Sequence, residues 1–536
     1  MKDACCGRSS ARGRLRLIPD TVAIFVLVAT SAPVLALDLE TPVGRWSASA
    51  YGEAYGVFRT DQESQRQRPA GIFALALTGD IHRRARIFLD TRLTFGGPPE
   101  DAEGFGIYDL RNTFQDISPA FEIEEAYLDL FLGPVDLRIG KQKFAWGRLD
   151  TIQPTDVVNP ERVTDPFVME ENDARIGVPA VRASYFLHEL GPKLPKDMSF
   201  SLVWVPLPVS SRFPLEDERW FPYGTSLSDT FFLGPVDFQV DSLSLTSDLK
   251  INSALRTENR RPAWQLDEGA VGAQIGGLSG VLDWALSFYD GTETFPAFDL
   301  DTSLFWPAAR RAARKGSPPP IPNPGEPIRL QADSTLWPRF GRIRLFGGDL
   351  AFARGGFTVR AEAAYGMDRL LPRSSEVLTD PANLARTLNR NKEEMFANLF
   401  SGKTVDVDLG SLTHVSDTVE WGLGIDYLYK GWTPLVQVNQ TYVRDYPRLP
   451  LLLSEVETRL LLVLRKSFFA DRLDMEIITM QGLAKGYTMG ISRFTYELTD
   501  HLRIRLGYLL LAGSRQTIIG QYKDNDEGFV QLRYSY

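Results

Sequence analysis

Cysteine is nearly absent from this chain of 536 residues. The two cysteines, Cys5 and Cys6, lie at the extreme N-terminus, so the rest of the chain has no thiol for a disulfide, a cysteine nucleophile or a thiolate metal site. Histidine is scarce as well, with four residues. They are His82, His188, His414 and His501. No G-x-S-x-G elbow, H-E-x-x-H motif or close histidine pair occurs, which argues against the common hydrolase and metalloprotease classes.

Positive charge is also in deficit. The chain has 59 Lys and Arg against 68 Asp and Glu, a formal net charge of −9. Residues 1–36 hold five basic and two acidic residues, a net of +3, so residues 37–536 carry −12. Binding to nucleic acid requires clustered cations against the phosphates. No nucleic-acid partner is therefore predicted.

The chain also lacks a long hydrophobic run. The apolar segment 22–29 is shorter than the roughly 20 residues that span a bilayer as a helix. Basic residues precede it and small residues around Ala36 follow it, the order typical of a secretory signal. We predict a signal peptide over residues 1–36. If the protein enters a membrane, it must cross it with strands.

What the chain has in abundance is two-residue alternation. In residues 421–429, Trp421, Leu423 and Ile425 fall on one face of a strand, while Gly424 and Asp426 fall on the other. Segments 85–95, 357–365, 502–510 and 528–536 follow the same pattern. Strands with one apolar and one charged face suit a wall between lipid and water. A soluble sandwich remains the alternative for any one of these strands.

The spacing of turns extends the prediction to the whole chain. Short turns such as 133–134, 355–356 and 430–431 alternate with long polar or proline-rich stretches. Outer-membrane barrels combine short periplasmic turns with long external loops. We therefore predict an all-β fold: a transmembrane antiparallel β-barrel of about 18 strands, with 16 possible, formed by residues 37–536 as a single domain. It would begin near Trp46 and close with the strand that ends at Tyr536. The long stretches are 96–119, 147–174, 207–262, 291–336 and 366–417.

Two of the predicted loops have a distinctive composition. Residues 307–327 combine four basic residues with seven prolines, which predicts a stiff, solvated loop that could also contact lipopolysaccharide headgroups. Asp380 and Pro381 suit the N-cap and first position of a helix, and apolar residues from Leu384 to Leu399 then share one side. One short helix is therefore expected in or over the barrel mouth.

The inward faces of the predicted strands carry charges of both signs. Such charges tune the selectivity of pores. The lumen-facing candidates are Arg84, Arg86, Asp90, Arg92, Asp136, Arg138, Arg360, Glu362, Asp426, Arg503, Arg505 and Arg533.

The most distinctive internal segment follows a predicted strand that ends near Gly140. Alternation breaks at Trp146 and Gly147, and a proline-punctuated loop begins. Its acidic and amide side chains can close local turns, so the simplest interpretation is a loop that folds back and braces the barrel wall. The candidate residues are Trp146, Gly147, Asp150, Pro154, Asp156 and Asn159.

At these residues the chain resembles a poorly characterised family of large porin-like outer-membrane proteins with a GKQ, WG and NPTD-like signature. The likeness is strongest over residues 120–220. It implies an outer-membrane channel, in a group often associated with inner-membrane exporters of the RND type. The matching residues are Gly140, Lys141, Gln142, Trp146, Gly147, Pro154, Thr155, Asp156, Asn159 and Pro160, followed by Asp173, Arg175, Gly177 and Val203 to Pro206.

The sequence thus favours a bacterial outer-membrane channel or export conduit for small anionic, amphipathic or hydrophobic solutes. One alternative is a non-conducting barrel with a structural or lipid-trafficking role. A more distant one is a hydrolase built on His414 with Asp406, Asp408 and Ser411. The expected partners are outer-membrane lipids, lipopolysaccharide and periplasmic or inner-membrane exporter components. No catalytic residue, metal site or cofactor is predicted.

Overall fold

A computed structural model describes most of the chain after residue 36. The predicted signal peptide, residues 1–36, lies outside the described residues. The described residues are 37–42, 44–59, 70–96, 120–163, 174–187, 196–212, 220, 230–240, 243–257, 266–318, 320–321, 328–374, 392–407, 411–448 and 450–535.

Eighteen antiparallel strands close into one barrel, as the alternation predicted. They are β2 (Gly44–Arg59), β3 (Ala70–His82), β4 (Ala85–Gly96), β5 (Ala120–Leu132), β6 (Val135–Gln142), β7 (Val178–Leu187), β8 (Lys196–Val205), β11 (Ala270–Ser279), β12 (Leu282–Thr292), β15 (Arg342–Arg354), β16 (Phe357–Pro372), β18 (Thr413–Tyr427), β19 (Trp432–Val443), β20 (Val456–Phe468), β21 (Leu473–Gly482), β22 (Tyr487–Glu497), β23 (Leu502–Ala512) and β24 (Glu527–Ser535).

The barrel closes where its last strand meets its first. β24 pairs with β2 from Tyr51 opposite Ser535 to Arg59 opposite Glu527, so the predicted closing strand is confirmed. A short strand, β1 (Leu37–Thr41), pairs with the start of β2 beyond the end of β24. The sheet therefore begins before Trp46, because β1 continues the edge of β2 that β24 leaves uncovered.

Side chains alternate across the barrel wall. On β18, Trp421, Leu423 and Ile425 are exposed on the outer face, whereas Thr418 and Asp426 are buried inside. The same separation holds on β23, where Leu506, Tyr508 and Leu510 are exposed. A closed barrel leaves no unpaired strand edge, and an apolar outer face matches lipid. The barrel is therefore a transmembrane one.

Most of the short turns lie at one end of the barrel. Gly133–Pro134, Gly355–Gly356 and Lys430–Gly431 link successive strands there, and several of their glycines adopt positive φ. Long connections leave the other end, which corresponds to the extracellular side of outer-membrane barrels. The hairpin from Gly482 to Tyr487 is a short exception on that side.

Three of the long connections form a second sheet of five strands. Residues 207–262, 291–336 and 366–417 were predicted as polar loops, and this prediction was wrong for the parts that pair with one another. The strands of the second sheet are β9 (Thr230–Val240), β10 (Leu243–Thr257), β13 (Ala297–Phe305), β14 (Ile328–Arg339) and β17 (Val405–Val407). Their order in the sheet is β17-β13-β14-β10-β9.

Two α-helices, rather than the one predicted, lie in the described part of these connections. α1 (Pro307–Arg314) forms inside the segment predicted to be a stiff loop, because Pro307 occupies the first turn and alanines favour a helix before the prolines begin. α2 (Lys392–Phe400) is the described portion of the helix expected after Asp380. Residues 375–391 lie outside the described residues.

A small hydrophobic core joins the helices to the second sheet. Trp306 and Phe400 meet edge to face with ring centroids 4.8 Å apart, and Phe396, Leu304 and Leu330 are almost fully buried beside them. We call the second sheet and the two helices together the extracellular cap. Burial of these apolar side chains stabilises the cap. Among the described residues, none of the helices is both long and apolar enough to cross a membrane.

Candidate functional site

The distinctive loop after β6 crosses the barrel lumen. We call residues 143–163 the inner loop. It leaves β6 and reaches the inner faces of β15, β16 and β19, and its anchors there are more than 200 residues away in sequence. A segment held in this way narrows the passage through the barrel.

Glu362, on the inner face of β16, is the main anchor of the inner loop. Its Oε1 accepts hydrogen bonds from the Thr155 amide at 2.6 Å and the Thr155 hydroxyl at 2.7 Å, and its Oε2 accepts one from the Arg148 amide at 3.1 Å. Gly147 sits against this carboxylate with a φ of +87°. A Cβ at residue 147 would lie 2.6 Å from Oε2, so the glycine is required by both space and conformation.

The tip of the inner loop is held on β19 by Gln437. The Gln437 side chain accepts a hydrogen bond from the Asp150 amide at 3.0 Å and donates one to the Asp150 carbonyl at 2.8 Å. Leu149 packs against the inward-facing Gly422 and Gly424 of β18. Since a side chain at either glycine would meet Leu149, these glycines form the groove in which the tip rests.

The beginning of the inner loop is apolar and packs on the part of the wall formed by β7, β8, β11 and β15. Trp146 is buried among Val178, Val203 and Ile343 from β7, β8 and β15. A Cβ at Gly272 of β11 would lie 2.8 Å from the Trp146 ring. The indole therefore occupies a recess that a glycine leaves in the barrel wall.

Polar motif residues join the two ends of the inner loop to each other and to the segment just before β7. The Asn159 side chain accepts a hydrogen bond from the Phe144 amide at 2.6 Å and donates one to the Ile176 carbonyl at 2.7 Å. Asp156 pairs with Arg175 at 2.5 Å. Pro154 is buried in the same loop. The structure thus brings the six predicted motif residues into one folded unit that braces the wall.

A buried ion cluster attaches the far end of the inner loop to β5. Arg162 donates to Glu122 at 2.6 Å, and Arg212 also pairs with Glu122. Glu124 lies 3.4 Å from Arg92 and 3.1 Å from Lys143. Arg162 and Arg212 are among the largest fully buried side chains. Arg92 was predicted to face the open lumen, but it is buried in this cluster.

Two of the predicted lumen arginines form ion pairs with acidic residues of the preceding strand. Arg138 binds Asp129 through two hydrogen bonds, at 2.6 and 2.9 Å, and its guanidinium stacks 3.8 Å from the centre of the Tyr127 ring. Arg86 bonds Asp80 at 2.6 Å.

Four of the other predicted residues fall into three groups. Asp90 and Asp136 are half-buried on β4 and β6. Arg84 lies in the turn between β3 and β4 rather than on a strand, because β3 continues to His82 and the turn is only two residues long. Glu362 is covered by the inner loop, so its carboxylate is an anchor instead of an open lumen charge.

The inner wall formed by β20 to β23 changes character along its height. Near the extracellular side, Leu461, Val463, Met480 and Leu509 are buried and apolar. The sequence predicted charged inward faces next to water, whereas this sector of the inner wall is apolar. Ile152 of the inner loop and residues around Tyr522 of the β23–β24 connection cover the apolar part, which removes it from water.

A cavity of about 640 Å³ lies beneath the inner loop against the same strands. Its apolar side is formed by Ile478, Met489 and Ile491. Its charged side, toward the short-turn end, contains Arg465, Glu476, Arg493, Glu497, Arg503 and Arg505. The cavity therefore presents an apolar surface beside several guanidinium groups.

Ion pairs organise the charged side of the cavity. Glu476 accepts from Arg465 at 2.9 Å and from Arg493 at 3.0 Å. Arg503 pairs with Glu497 at 2.7 Å. Arg505 donates to the side chains of Thr495 and Gln531. Guanidinium groups fixed by such contacts are well suited to bind carboxylates.

Arg533 belongs to the same region of the lumen. It lies directly opposite Arg503 in the β23–β24 register. Its guanidinium stacks 3.8 Å from the centre of the Tyr51 ring and lies 4.0 Å from the Glu53 carboxylate.

A third group of charges lies under the tip of the inner loop. Arg360 binds Asp426 at 2.5 Å and Asp150 at 3.5 Å. Asp150 also lies 3.5 Å from Arg465. The sequence prediction included Arg360, Asp426 and Asp150, but it missed Arg465 and Gln437. Both fall on polar inward positions of alternating strands, which was the available signal.

The residues of the suggested hydrolase site contact other residues rather than one another. His414 contacts the Asp445 carbonyl at 2.8 Å, and Asp406 accepts from Ser303. Ser411 donates to Asp299. Asp408 lies outside the described residues. In the described part of the chain, His414, Asp406 and Ser411 form no nucleophile–base pair with one another, and no group of three metal-ligating side chains is present.

A closed barrel with an even number of strands, an apolar outer face and a charged lumen defines a bacterial outer-membrane β-barrel protein. Residues 108–536 match the family described as "Protein of unknown function (DUF1302)". This match covers most of the sequence, so the chain belongs to the DUF1302 family. A search of curated proteins found no match.

Solved outer-membrane proteins are similar to this chain at low sequence identity. Acinetobacter baumannii OccAB4 is 10% identical over 92% of this chain and 97% of its own, with a TM-score of 0.44. Pseudomonas aeruginosa OccK5 is 10% identical over 91% and 97%, with a TM-score of 0.43. The outer-membrane channel DcaP of Acinetobacter baumannii is 9% identical over 93% and 99%, with a TM-score of 0.37. These values are too low to carry a functional argument.

Proposed function

We propose that the protein is an outer-membrane channel or export conduit for small amphipathic solutes that carry an anionic group. The observation that supports this most directly is the cavity beneath the inner loop. It combines apolar Ile478, Met489 and Ile491 with Arg493, Arg503 and other charged residues. Ligand sites typically combine apolar surface with a few oriented polar groups.

The mixed lining favours amphipathic solutes over the other classes considered. A purely hydrophobic solute would displace water from the charged side of the cavity, around groups such as Arg503, without replacing the hydrogen bonds of that water, which is unfavourable. A small inorganic anion would gain nothing from the apolar surface at Met489. A molecule with an acyl chain and a carboxylate satisfies both sides of the cavity.

Planar-bilayer recordings with a soluble amphipathic anion test this function. We expect wild-type protein to carry an ion current that octanoate reduces in a concentration-dependent manner. Octyl glucoside below its micellar concentration, which has the same chain length and no charge, serves as the control and should reduce the current less. An equal effect of the two solutes would contradict the anionic preference.

The second candidate is a non-conducting barrel with a structural or lipid-trafficking role. The observation that favours it is the inner loop, which crosses the lumen and is fixed at Glu362 and Gln437. Absence of current both in wild-type protein and in a Glu362→Ala/Gln437→Ala variant would favour this candidate. Current in either protein would favour the channel.

The expected partners remain proposals. Arg311, Arg314 and Lys315 are exposed on and after α1 in the extracellular cap, where they are available for phosphate groups of lipopolysaccharide. Loss of lipopolysaccharide binding in a variant with all three replaced by Gln would support this contact. Association with an inner-membrane exporter stays a prediction from the family resemblance.

A further inference from the structure

Asp150 holds an unusual position at the tip of the inner loop. Its Oδ1 lies 3.5 Å from Arg465 Nη2, and its Oδ2 lies 3.5 Å from Arg360 Nη1. One carboxylate thus bridges two guanidinium groups from different strands, with one oxygen toward each. A carboxylate of a solute would make the same two contacts.

For both arginines, the ion pair with Asp150 is the longer of two ion pairs. Arg465 is closer to Glu476, at 2.9 Å, and Arg360 is closer to Asp426, at 2.5 Å. The side chains of Asp150, Arg360 and Arg465 are also partly exposed, at 28%, 27% and 42%. Long ion pairs in contact with water contribute little stability. Because each arginine keeps its closer partner, departure of the Asp150 carboxylate leaves neither cation unpaired.

The backbone of Asp150 is held independently of its side chain. Gln437 bonds both the amide and the carbonyl of Asp150, so the carboxylate can turn away while the loop stays in place. Asp150 and Arg465 both line the cavity. A solute in the cavity can therefore reach Arg465 without displacement of the inner loop.

We infer that Arg360 and Arg465 form a binding site for the carboxylate of an amphipathic solute, and that Asp150 occupies this site as an internal competitor when the channel is empty. The inference rests on the proposed function and names its specificity-determining residues. The acyl chain of the solute lies on Ile478, Met489 and Ile491. Exchange of one carboxylate for another keeps the charge around the two arginines balanced.

Competition makes a quantitative prediction for Asp150→Asn. A tethered competitor lowers the apparent affinity by the fraction of time that the site is occupied. Removal of a partly exposed ion pair should therefore tighten octanoate binding by about threefold. Asp150→Glu retains the competitor, and its affinity should remain close to that of the wild type.

A double-mutant cycle separates competition from general repulsion of anions. Binding of octanoate to nanodisc-embedded protein would be measured by calorimetry for wild type, Asp150→Asn, Arg465→Gln and the double variant. Competition predicts that the Asp150→Asn gain falls below about 1.5-fold when Arg465 is replaced. General repulsion predicts an unchanged gain. Chloride permeability in bilayers should stay the same in Asp150→Asn if competition is correct.

The outcomes distinguish this inference from the proposed function. Octanoate that binds wild type and Asp150→Asn equally well would overturn the competitor role and leave the channel proposal intact. Octanoate that neither binds nor blocks any variant would overturn both. Resistance of each barrel to unfolding in SDS without heating shows that a variant is folded before it is compared.

Discussion

Thr155 and Glu362 are separated by 207 residues in the chain and joined by two hydrogen bonds, from the Thr155 amide and hydroxyl to the same carboxylate oxygen. The first residue belongs to the inner loop and the second to the barrel wall. Their contact fixes a segment across the lumen. The proposed channel is narrowed where this connection holds the loop.

Removal of the Glu362 carboxylate should free the inner loop. Glu362→Ala leaves buried donors of Arg148 and Thr155 without an acceptor, and each such group costs roughly 1–3 kcal/mol. We expect a loss of about 3 kcal/mol in the free energy of unfolding in urea, together with a higher single-channel conductance. Glu362→Gln keeps one carbonyl oxygen and should be intermediate. The exposed Glu40→Gln is the control, and equal conductance in all of these variants would contradict the anchor role.

A comparison of alanine substitutions at Gly147 and Gly280 distinguishes the cost of backbone strain from the cost of steric conflict. Gly147→Ala places a methyl group against Glu362 in a positive-φ conformation, whereas Gly280→Ala has a similar φ with open space around it. We expect about 1 kcal/mol of destabilisation for Gly280→Ala and about 3 kcal/mol for Gly147→Ala. Urea unfolding measures both. Equal losses would mean that the Glu362 contact imposes no steric requirement.

Loss of an arginine should lower the free energy of unfolding more in the buried ion cluster than in a surface ion pair. Arg162→Ala leaves Glu122 and Glu124 with less compensation in a buried site, and loss of one partner from such a group costs about 3 kcal/mol or more. Arg515, which pairs with Asp524 and is half exposed, provides the matched control. Arg515→Ala should change the free energy of unfolding by less than about 0.5 kcal/mol. Similar losses in the two variants would contradict a structural role for the cluster.

The arginines of β23 should contribute to ion selectivity. Arg503→Gln combined with Arg505→Gln removes two cations from the lumen wall, so the reversal potential in a salt gradient should shift toward cation selectivity. Arg515→Gln removes a cation from the β23–β24 connection and should shift it much less. A reversal potential unchanged by the double substitution would show that the conducting path avoids this wall.

The barrel was predictable from sequence because its rule is local. Residues such as Trp421 and Asp426 alternate with a period of two, and the short turns mark where each strand reverses. The strand number and the closing role of β24 follow from that repetition. The second sheet was not predicted, since β10 and β14 pair in parallel between residues that are 79 positions apart in the sequence, and such pairing leaves no local pattern.

The site was predicted only in part, for a related reason. The break at Trp146 and Gly147 identified the inner loop, and alternation placed Arg360 and Glu362 on the inner face. The path of the inner loop across the lumen determines which inward-facing charges stay accessible to water. That is determined by distant contacts, such as Leu149 against Gly422, that have no signature in either segment alone.

The central claim is that the barrel conducts amphipathic anions past a fixed inner loop. Single-channel recording of the wild-type protein with and without octanoate tests it most directly. We expect a measurable ion current that octanoate reduces, and a larger current in Glu362→Ala. A folded wild-type barrel without current, together with a Glu362→Ala/Gln437→Ala variant that is also silent, would contradict it.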